Sequence, residues 1–132
     1  SEWIDAVFQE AEKSGAAIPA LPLASTIKRV DQEDSIVETV PRDGLWAAQT
    51  PQVFARQLLL DAFDKQGDFQ ATDEAQLVEN FGHAVSVVRG WPMNFKITTH
   101  ADLQMAQAVV GALPKKTLRA LHPFADEEPR RL

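Results

Sequence analysis

Arg42-Asp43-Gly44 stands directly before Leu45-Trp46-Ala47-Ala48-Gln49-Thr50-Pro51-Gln52. A guanidinium held just ahead of a tight glycine turn can grip two oxygens of one phosphate, because its planar fork presents parallel donors. The block also has a plainer reading. Gly44 makes a turn, Thr50 caps a helix and Pro51 takes the first helical position, where a missing N–H costs nothing. Arg42 is then merely solvated, and local physics alone favours this version. Two more polar segments carry cations where predicted strands begin or end: Thr26-Ile27-Lys28-Arg29 and Asn94-Phe95-Lys96-Ile97-Thr98. Other chemistry has little support. There is no cysteine, hence no thiolate nucleophile, disulfide or Cys-based zinc site. His83, His100 and His122 are too scattered for a metal site or a catalytic triad. Asp73-Glu74 suits a helix N-terminus better than a metal. Trp3 and Trp91 read as packing residues. The run from Asp31 to Asp34 reads as a solvated hairpin tip.

The elements that must position these groups follow from composition and periodicity. The chain has 132 residues, 45% hydrophobic and 24% charged, which suits one ordinary globular domain with a real core. A net charge of −6 argues against a broad nucleic-acid surface but leaves room for a small cationic pocket. No apolar run is long enough to span a bilayer and no signal peptide is visible, so a cytoplasmic protein without membrane partners is the expectation. The chain opens on Ser1 and runs straight into the apolar stripe Ile4, Val7, Phe8 and Ala11. A helix with so little before it reads as the middle of something longer.

Residues 1–14 are predicted helical, with Gly15 as the stop. Residues 16–24 are almost wholly apolar and predict a buried strand, interrupted at Pro19 and Pro22 because a central strand tolerates proline poorly. Ile27–Val30 and Ile36–Val40 predict a projecting hairpin. A helix is expected from Thr50 to about Gln66, with Phe54, Leu58, Leu59, Ala62 and Phe63 inward and Gly67 at its end. Thr72-Asp73-Glu74 opens another, with Leu77, Val78 and Phe81 inward and Gly82 as its stop. Val85–Val88 and Phe95–Thr98 predict short strands. Thr99 with Asp102 makes a capping box for a last helix, whose core face is Leu103, Ala106, Val109, Val110 and Leu113. Residues 114–132 read as a surface tail. Strands alternating with helices predict an α/β layered fold with a largely parallel sheet and ligands beyond the carboxyl ends of its strands.

An ordered set of segments carries a resemblance. It comprises Pro19 and Pro22, Ser25-Thr26-Ile27-Lys28-Arg29, the run from Thr39 through Arg42 and Thr50-Pro51-Gln52 to Phe54, Thr72-Asp73-Glu74-Ala75, Asn94-Phe95-Lys96-Ile97-Thr98 and Asp102-Leu103. No one segment decides; the register does. From about Ser1 to Leu113 the chain resembles the carboxy-terminal half of the 2-C-methyl-D-erythritol 4-phosphate cytidylyltransferases, with ribitol-phosphate cytidylyltransferases as relatives on the same scaffold. The resemblance implies a three-layer, Rossmann-like fold of the nucleotide-diphospho-sugar transferase type. Its mostly parallel sheet would carry a projecting arm over residues 27–40 that makes a homodimer. It implies CTP and a polyol phosphate as substrates and Mg2+ as cofactor, held mainly through CTP and a glycine-rich half that this sequence does not contain.

By the same resemblance, Thr26 is a substrate contact at the base of the arm. Arg42 binds the substrate phosphate and is reached across the dimer. Thr50 lies near the substrate, a role compatible with capping, and Lys96 is directed at the transferred phosphate. No residue of this chain matches a metal ligand. Ser25 stands where the family most often has Asp and Pro41 where Asp is common, and the first change removes a carboxylate beside Thr26. Two readings remain open at this stage. One is part of a cytidylyltransferase, inactive alone; the other is a truncated, non-catalytic dimerisation or binding module.

Overall fold

The computed structural model describes residues 2–113 and divides them between a larger unit, up to Lys96, and a second that begins at Ile97. In the larger unit, helix α1 (Glu2–Ser14) leads through Gly15, at a φ of 85°, into strand β1 (Ala16–Pro22). The Gly15 N–H closes the helix on the Ala11 carbonyl at 2.8 Å, so the predicted glycine stop is where the sequence places it.

β1 is the hub of a four-stranded sheet. On one edge it pairs antiparallel with β5 (Val53–Phe54) and then with β4 (Trp46–Ala48); on the other it pairs parallel with β6 (Ser86–Arg89). The α/β class expected from the sequence therefore holds, but the sheet is mixed. Among the described residues β1–β6 is its one parallel ladder, because β4 and β5 both come from the segment that doubles back along β1.

Successive residues of β1 serve opposite faces. Ala16 packs with Ala62 of α2 (Arg56–Asp64) and with Leu77 and Val78 of α3 (Glu74–Asn80), with Phe54 alongside. Ala17 packs with Val7 and Ala11 of α1, with Val53 and Val88 alongside. The result is helix, sheet, helix: three layers, with residues 16–20 of β1 all buried. Alanine is what lets helices approach both faces of one strand so closely.

Pro19 is fully buried inside this central strand, and the strand does not break. The expectation of an interruption is corrected by the topology. β5 ends its ladder at Ala17 and β4 begins at Ala20. The Pro19 carbonyl accepts the Gln49 N–H at 2.8 Å, so the side of Pro19 that lacks an N–H faces the break between β5 and β4. No ladder bond is lost there.

The predicted helix from Thr50 is also corrected. The Thr50–Pro51 bond is cis, Val53 and Phe54 pair with Ala17 and Ala16, and α2 begins only at Arg56. Its N-cap position is Ala55, which has no side-chain acceptor; the Ala55 N–H instead reaches the Gly15 carbonyl at 2.7 Å. Pairing with the hub strand outweighs a local capping preference worth about 1 kcal/mol. α3 keeps its predicted start: the Asp73 carboxylate accepts the Gln76 N–H at 2.9 Å.

β2 (Ile27–Val30) and β3 (Ile36–Val40) form the predicted hairpin, a separate two-stranded sheet. Its tip is tied by Asp31, whose Oδ1 accepts the N–H groups of Glu33 and Ser35, both at 2.9 Å. Lys28 bonds Thr39 and Arg29 pairs with Glu38 across the strands, each at 2.5 Å. Val30, Ile36 and Val37 are exposed on it.

The second unit contains α4 (His100–Ala112), opened by the expected capping box. Residues 95–98 are not a strand. The Thr98 N–H and hydroxyl both donate to Asp102 Oδ2 at 2.9 Å, so that backbone serves the helix cap rather than a ladder. The predicted core face of α4 is corrected too. No α4 residue is buried and Leu103 and Val110 are exposed, for no other helix or strand lies in the described residues of that unit to cover them. The expected tail over residues 114–132, with His122, lies outside the described residues. Among the described residues no helix is long and apolar enough to cross a membrane.

Two outcomes follow from this packing. Ala17→Leu should lower the urea midpoint by the equivalent of about 1–3 kcal/mol, since the added carbons have no room between β1 and α1; an unchanged midpoint would contradict two-sided burial. Asp102 accepts from the Thr98 backbone and hydroxyl and then from Thr99, which lowers its carboxyl from 3.8 to about 2. A depressed folded value means the cap's contribution is complete above the ordinary value and disappears as pH falls through about 2. The Asp102 carboxyl resonance should therefore titrate near the lower limit, with Thr98 and Thr99 amide exchange accelerating over the same range. Asp102→Asn should abolish that pH dependence.

Candidate functional site

The segment that leaves β4 crosses the break beside Pro19 before rejoining the sheet as β5. In crossing, Thr50 and Gln52 become one wall of a cleft of about 590 Å³. Ala47, Ala48 and Gln49 extend that wall, Thr72 and Asp73 from the start of α3 form another, and Asn94, Phe95 and Lys96 close it. A smaller recess of about 340 Å³ continues from the same Thr50, Gln52, Thr72, Asp73 and Lys96 towards Phe63, Gln66 and Leu77.

Side-chain amides hold this geometry. Gln52 donates to Asp73 Oδ2 at 2.9 Å and accepts the Ala75 N–H at 3.0 Å, so it satisfies an orphan amide at the start of α3. Asn94 donates to the Thr50 carbonyl at 2.6 Å. Gln49 donates to the carbonyls of Trp91 and Asn94 at 3.0 and 2.8 Å. Thr50-Pro51-Gln52 is thus anchored at both ends, to the 91–94 loop and to α3. Thr72 is fixed as well: its N–H and hydroxyl both donate to Gln76 Oε1, at 2.7 and 3.1 Å.

The charges divide in a useful way. Asp73 is committed to Gln52 and to the α3 amide of Gln76. Lys96 forms no ion pair among the described residues. Asp73 and Glu74 share the lining with Lys96, yet among the described residues neither pairs with it, so its ammonium beside threonine hydroxyls and carboxamides suits an anionic ligand with hydroxyl groups. Among the described residues no three His, Asp or Glu side chains converge as metal ligands, so the residues present do not by themselves fit a Mg2+ centre.

The sequence expectations separate into two groups. Thr50 and Lys96 meet in the cleft. Thr26 and Arg42 do not line it; they flank the arm, where Arg42 Nη1 donates to the Ala24 carbonyl and its own carbonyl accepts the Leu45 N–H at 2.9 Å. Arg42 therefore braces the neck of the hairpin, with other guanidinium donors left over. Gln49, Gln52 and Asn94 were not singled out by the sequence. Their only signal is an amide side chain, able both to donate and to accept, inside the motif segments; Gln52 is expected within the helix from Thr50, so its contact with the start of α3 is not foreseeable. His83 is half-buried, and its Nδ1 lies 2.8 Å from the Ala84 carbonyl.

Comparison with known proteins places this organisation among cytidylyltransferases. The chain is 43% identical over 114 residues to the 2-C-methyl-D-erythritol 4-phosphate cytidylyltransferase of Bacillus licheniformis, an alignment spanning 84% of this chain and 48% of the relative. It is 48% identical over 107 residues to that of Bacillus thuringiensis, covering 80% and 47%. The crystal structure of the cytidylyltransferase from Thermus thermophilus superposes with a TM-score of 0.76 at 36% identity, over 83% of this chain and 55% of that one. The chain thus spans about half the length of the curated relatives it matches. The family model for 2-C-methyl-D-erythritol 4-phosphate cytidylyltransferase matches residues 1–112, and the chain belongs to that family.

Proposed function

We propose that this chain forms the alcohol-phosphate side and the dimer arm of a cytidylyltransferase acting on CTP and 2-C-methyl-D-erythritol 4-phosphate in non-mevalonate isoprenoid biosynthesis. The observation that carries the reading is the cleft in which Thr50 and Lys96, distant in sequence, stand together with Lys96 unpaired among the described residues. A phosphate oxygen of the polyol phosphate attacks the α-phosphorus of CTP. The new P–O bond forms as the bond to the β-phosphate oxygen breaks, and pyrophosphate leaves. Such transfers depend on alignment and charge neutralisation more than on proton transfer. Lys96 supplies a positive charge beside the attacking phosphate, and the Thr50 hydroxyl helps to orient the substrate. Magnesium, arriving with CTP, would neutralise charge on the triphosphate during the transfer. The location is cytoplasmic.

Arg42 and Thr26 enter the reaction from a second copy. Their place at the neck of a projecting arm, away from their own chain's cleft, supports this assignment. So does the exposure of Val30, Ile36 and Val37 on a two-stranded hairpin, a structure only marginally stable without a covering surface. In this dimer each active site combines Lys96 of one protomer with Arg42 of the other.

Three experiments bear on this. The sequence has no triphosphate cradle, so the 132-residue chain by itself is expected to release no pyrophosphate from CTP; turnover that travels with the pure chain would refute that. In an active protein containing this sequence, Arg42→Ala should lower kcat/KM for the polyol phosphate roughly 30- to 1000-fold, the loss of about 2–4 kcal/mol of charged hydrogen bonding, with CTP affinity little changed. Mixing inactive Arg42→Ala and Lys96→Ala dimers under subunit exchange should restore about a quarter of parental activity, because half the dimers are mixed and each holds one intact site. A mixture no more active than its components would assign Arg42 to its own chain or to the turn alone.

A further inference from the structure

Gln49 is bound from both its backbone and its side chain. Its N–H is held by the Pro19 carbonyl of the hub strand at 2.8 Å. Its side chain crosses to the loop after β6, where Nε2 donates to Trp91 O and Asn94 O, and Oε1 accepts the Trp91 N–H at 3.2 Å. Two carbonyls require a donor and one N–H requires an acceptor, so a single orientation of the amide satisfies all of them.

The loop it grips has little else to fix it. A turn from Asn94 N–H to Trp91 O closes the loop, and the Gly90 N–H reaches Ala20 O, both at 2.9 Å. Residues 91–98 belong to no strand or helix, yet they carry Lys96 into the cleft. Asn94 returns the connection by donating to Thr50 O. Gln49, Trp91, Asn94 and Thr50 thus form a closed ring with the two proposed substrate residues on its rim. Gly90 is shaped to this ring: a Cβ there would lie 2.0 Å from Gln49 Oε1 and 3.1 Å from its Cδ. The end of a free glutamine could swing aside, but this one would have to give up its bonds to do so.

We propose that Gln49 is a positioning residue that sets the spacing of Thr50 and Lys96 around the alcohol phosphate, with Gly90 as the cavity it requires. The proposal rests on the reading of Thr50 and Lys96 given above. A carboxylate cannot replace the amide, for Gln49→Glu keeps an acceptor for Trp91 N–H but confronts two carbonyls with an anion.

The test is a double-mutant cycle between Gln49→Ala and Gly90→Ala, read by amide exchange and by kinetics with 2-C-methyl-D-erythritol 4-phosphate and CTP in an active protein containing this sequence. Gln49→Ala should speed exchange at the Trp91 amide roughly tenfold and lower kcat/KM for the alcohol phosphate roughly 10- to 100-fold, while KM for CTP stays within about twofold. Gly90→Ala should reproduce both effects in the parent and be nearly silent once Gln49 is alanine, since the clashing atoms are gone. Equal damage from Gly90→Ala in both backgrounds, or unchanged Trp91 exchange in Gln49→Ala, would overturn the proposal. Lys96→Ala separates the two levels. If it leaves the alcohol-phosphate kinetics intact, the substrate assignment is what fails, and the exchange cycle alone still decides whether Gln49 holds the loop.

Discussion

A strand closed on both faces leaves its backbone no access to water, so every ladder position on both edges has to find a partner or be a residue that needs none. Residues 16–20 of β1 are in that position. The small side chains of Ala17 and Ala16 admit α1 on one face and α2 with α3 on the other, and the strand's carbonyls and amides recruit β5, β4 and β6 along the edges. The cleft inherits its placement from these demands. Its first wall is the chain that moves from one half of the β1 edge to the other, and its last wall is the loop that leaves the partner on the opposite edge.

How much of this a sequence can express depends on the range of the deciding interaction. Helix α1, the glycine stop at Gly15, the arm strands and the Thr99–Asp102 capping box are settled within a few residues and were legible, although Phe8 of the predicted α1 stripe is exposed while Val7 and Ala11 are buried. Thr50-Pro51 was misleading because its local chemistry is that of a helix start, whereas its fate is decided by Val53 and Phe54 pairing with Ala17 and Ala16. Phe95–Thr98 has β-prone residues but joins no ladder among the described residues, and its last amide is claimed by Asp102. The candidate site follows the same division. Lys96 and Thr50 could be picked out from their motifs. The amides that bring them together could not, because Gln49 meets Trp91 and Asn94, and Gln52 meets Asp73, only after the chain has folded back across the sheet.

Arg42 illustrates how one cation can carry a structural and a chemical duty. Its bond to the Ala24 carbonyl closes the neck through which the arm leaves the body. In the proposed dimer the remaining donors point their charge into a neighbour's cleft, so the angle of the arm and the position of that charge are not independent variables. The Arg29–Glu38 pair further out differs in kind: both partners are well exposed, at 63% and 52%, and such pairs contribute little.

Pro19 gives the sheet a property beyond its own packing. Between the Ala20–Ala48 and Ala17–Val53 pairs, Ile18 and Pro19 of β1 stand opposite Gln49, Thr50, Pro51 and Gln52, so the passing chain carries more residues than the edge can pair. The excess has to leave the ladder, and it leaves where β1 presents a proline with no N–H to offer. Gln49, Thr50, Pro51 and Gln52 are thereby outside the β1 pairings, and Gln49, Thr50 and Gln52 line the cleft. A register offset beside a missing donor thus marks where the sheet holds the chain and where it lets the chain go.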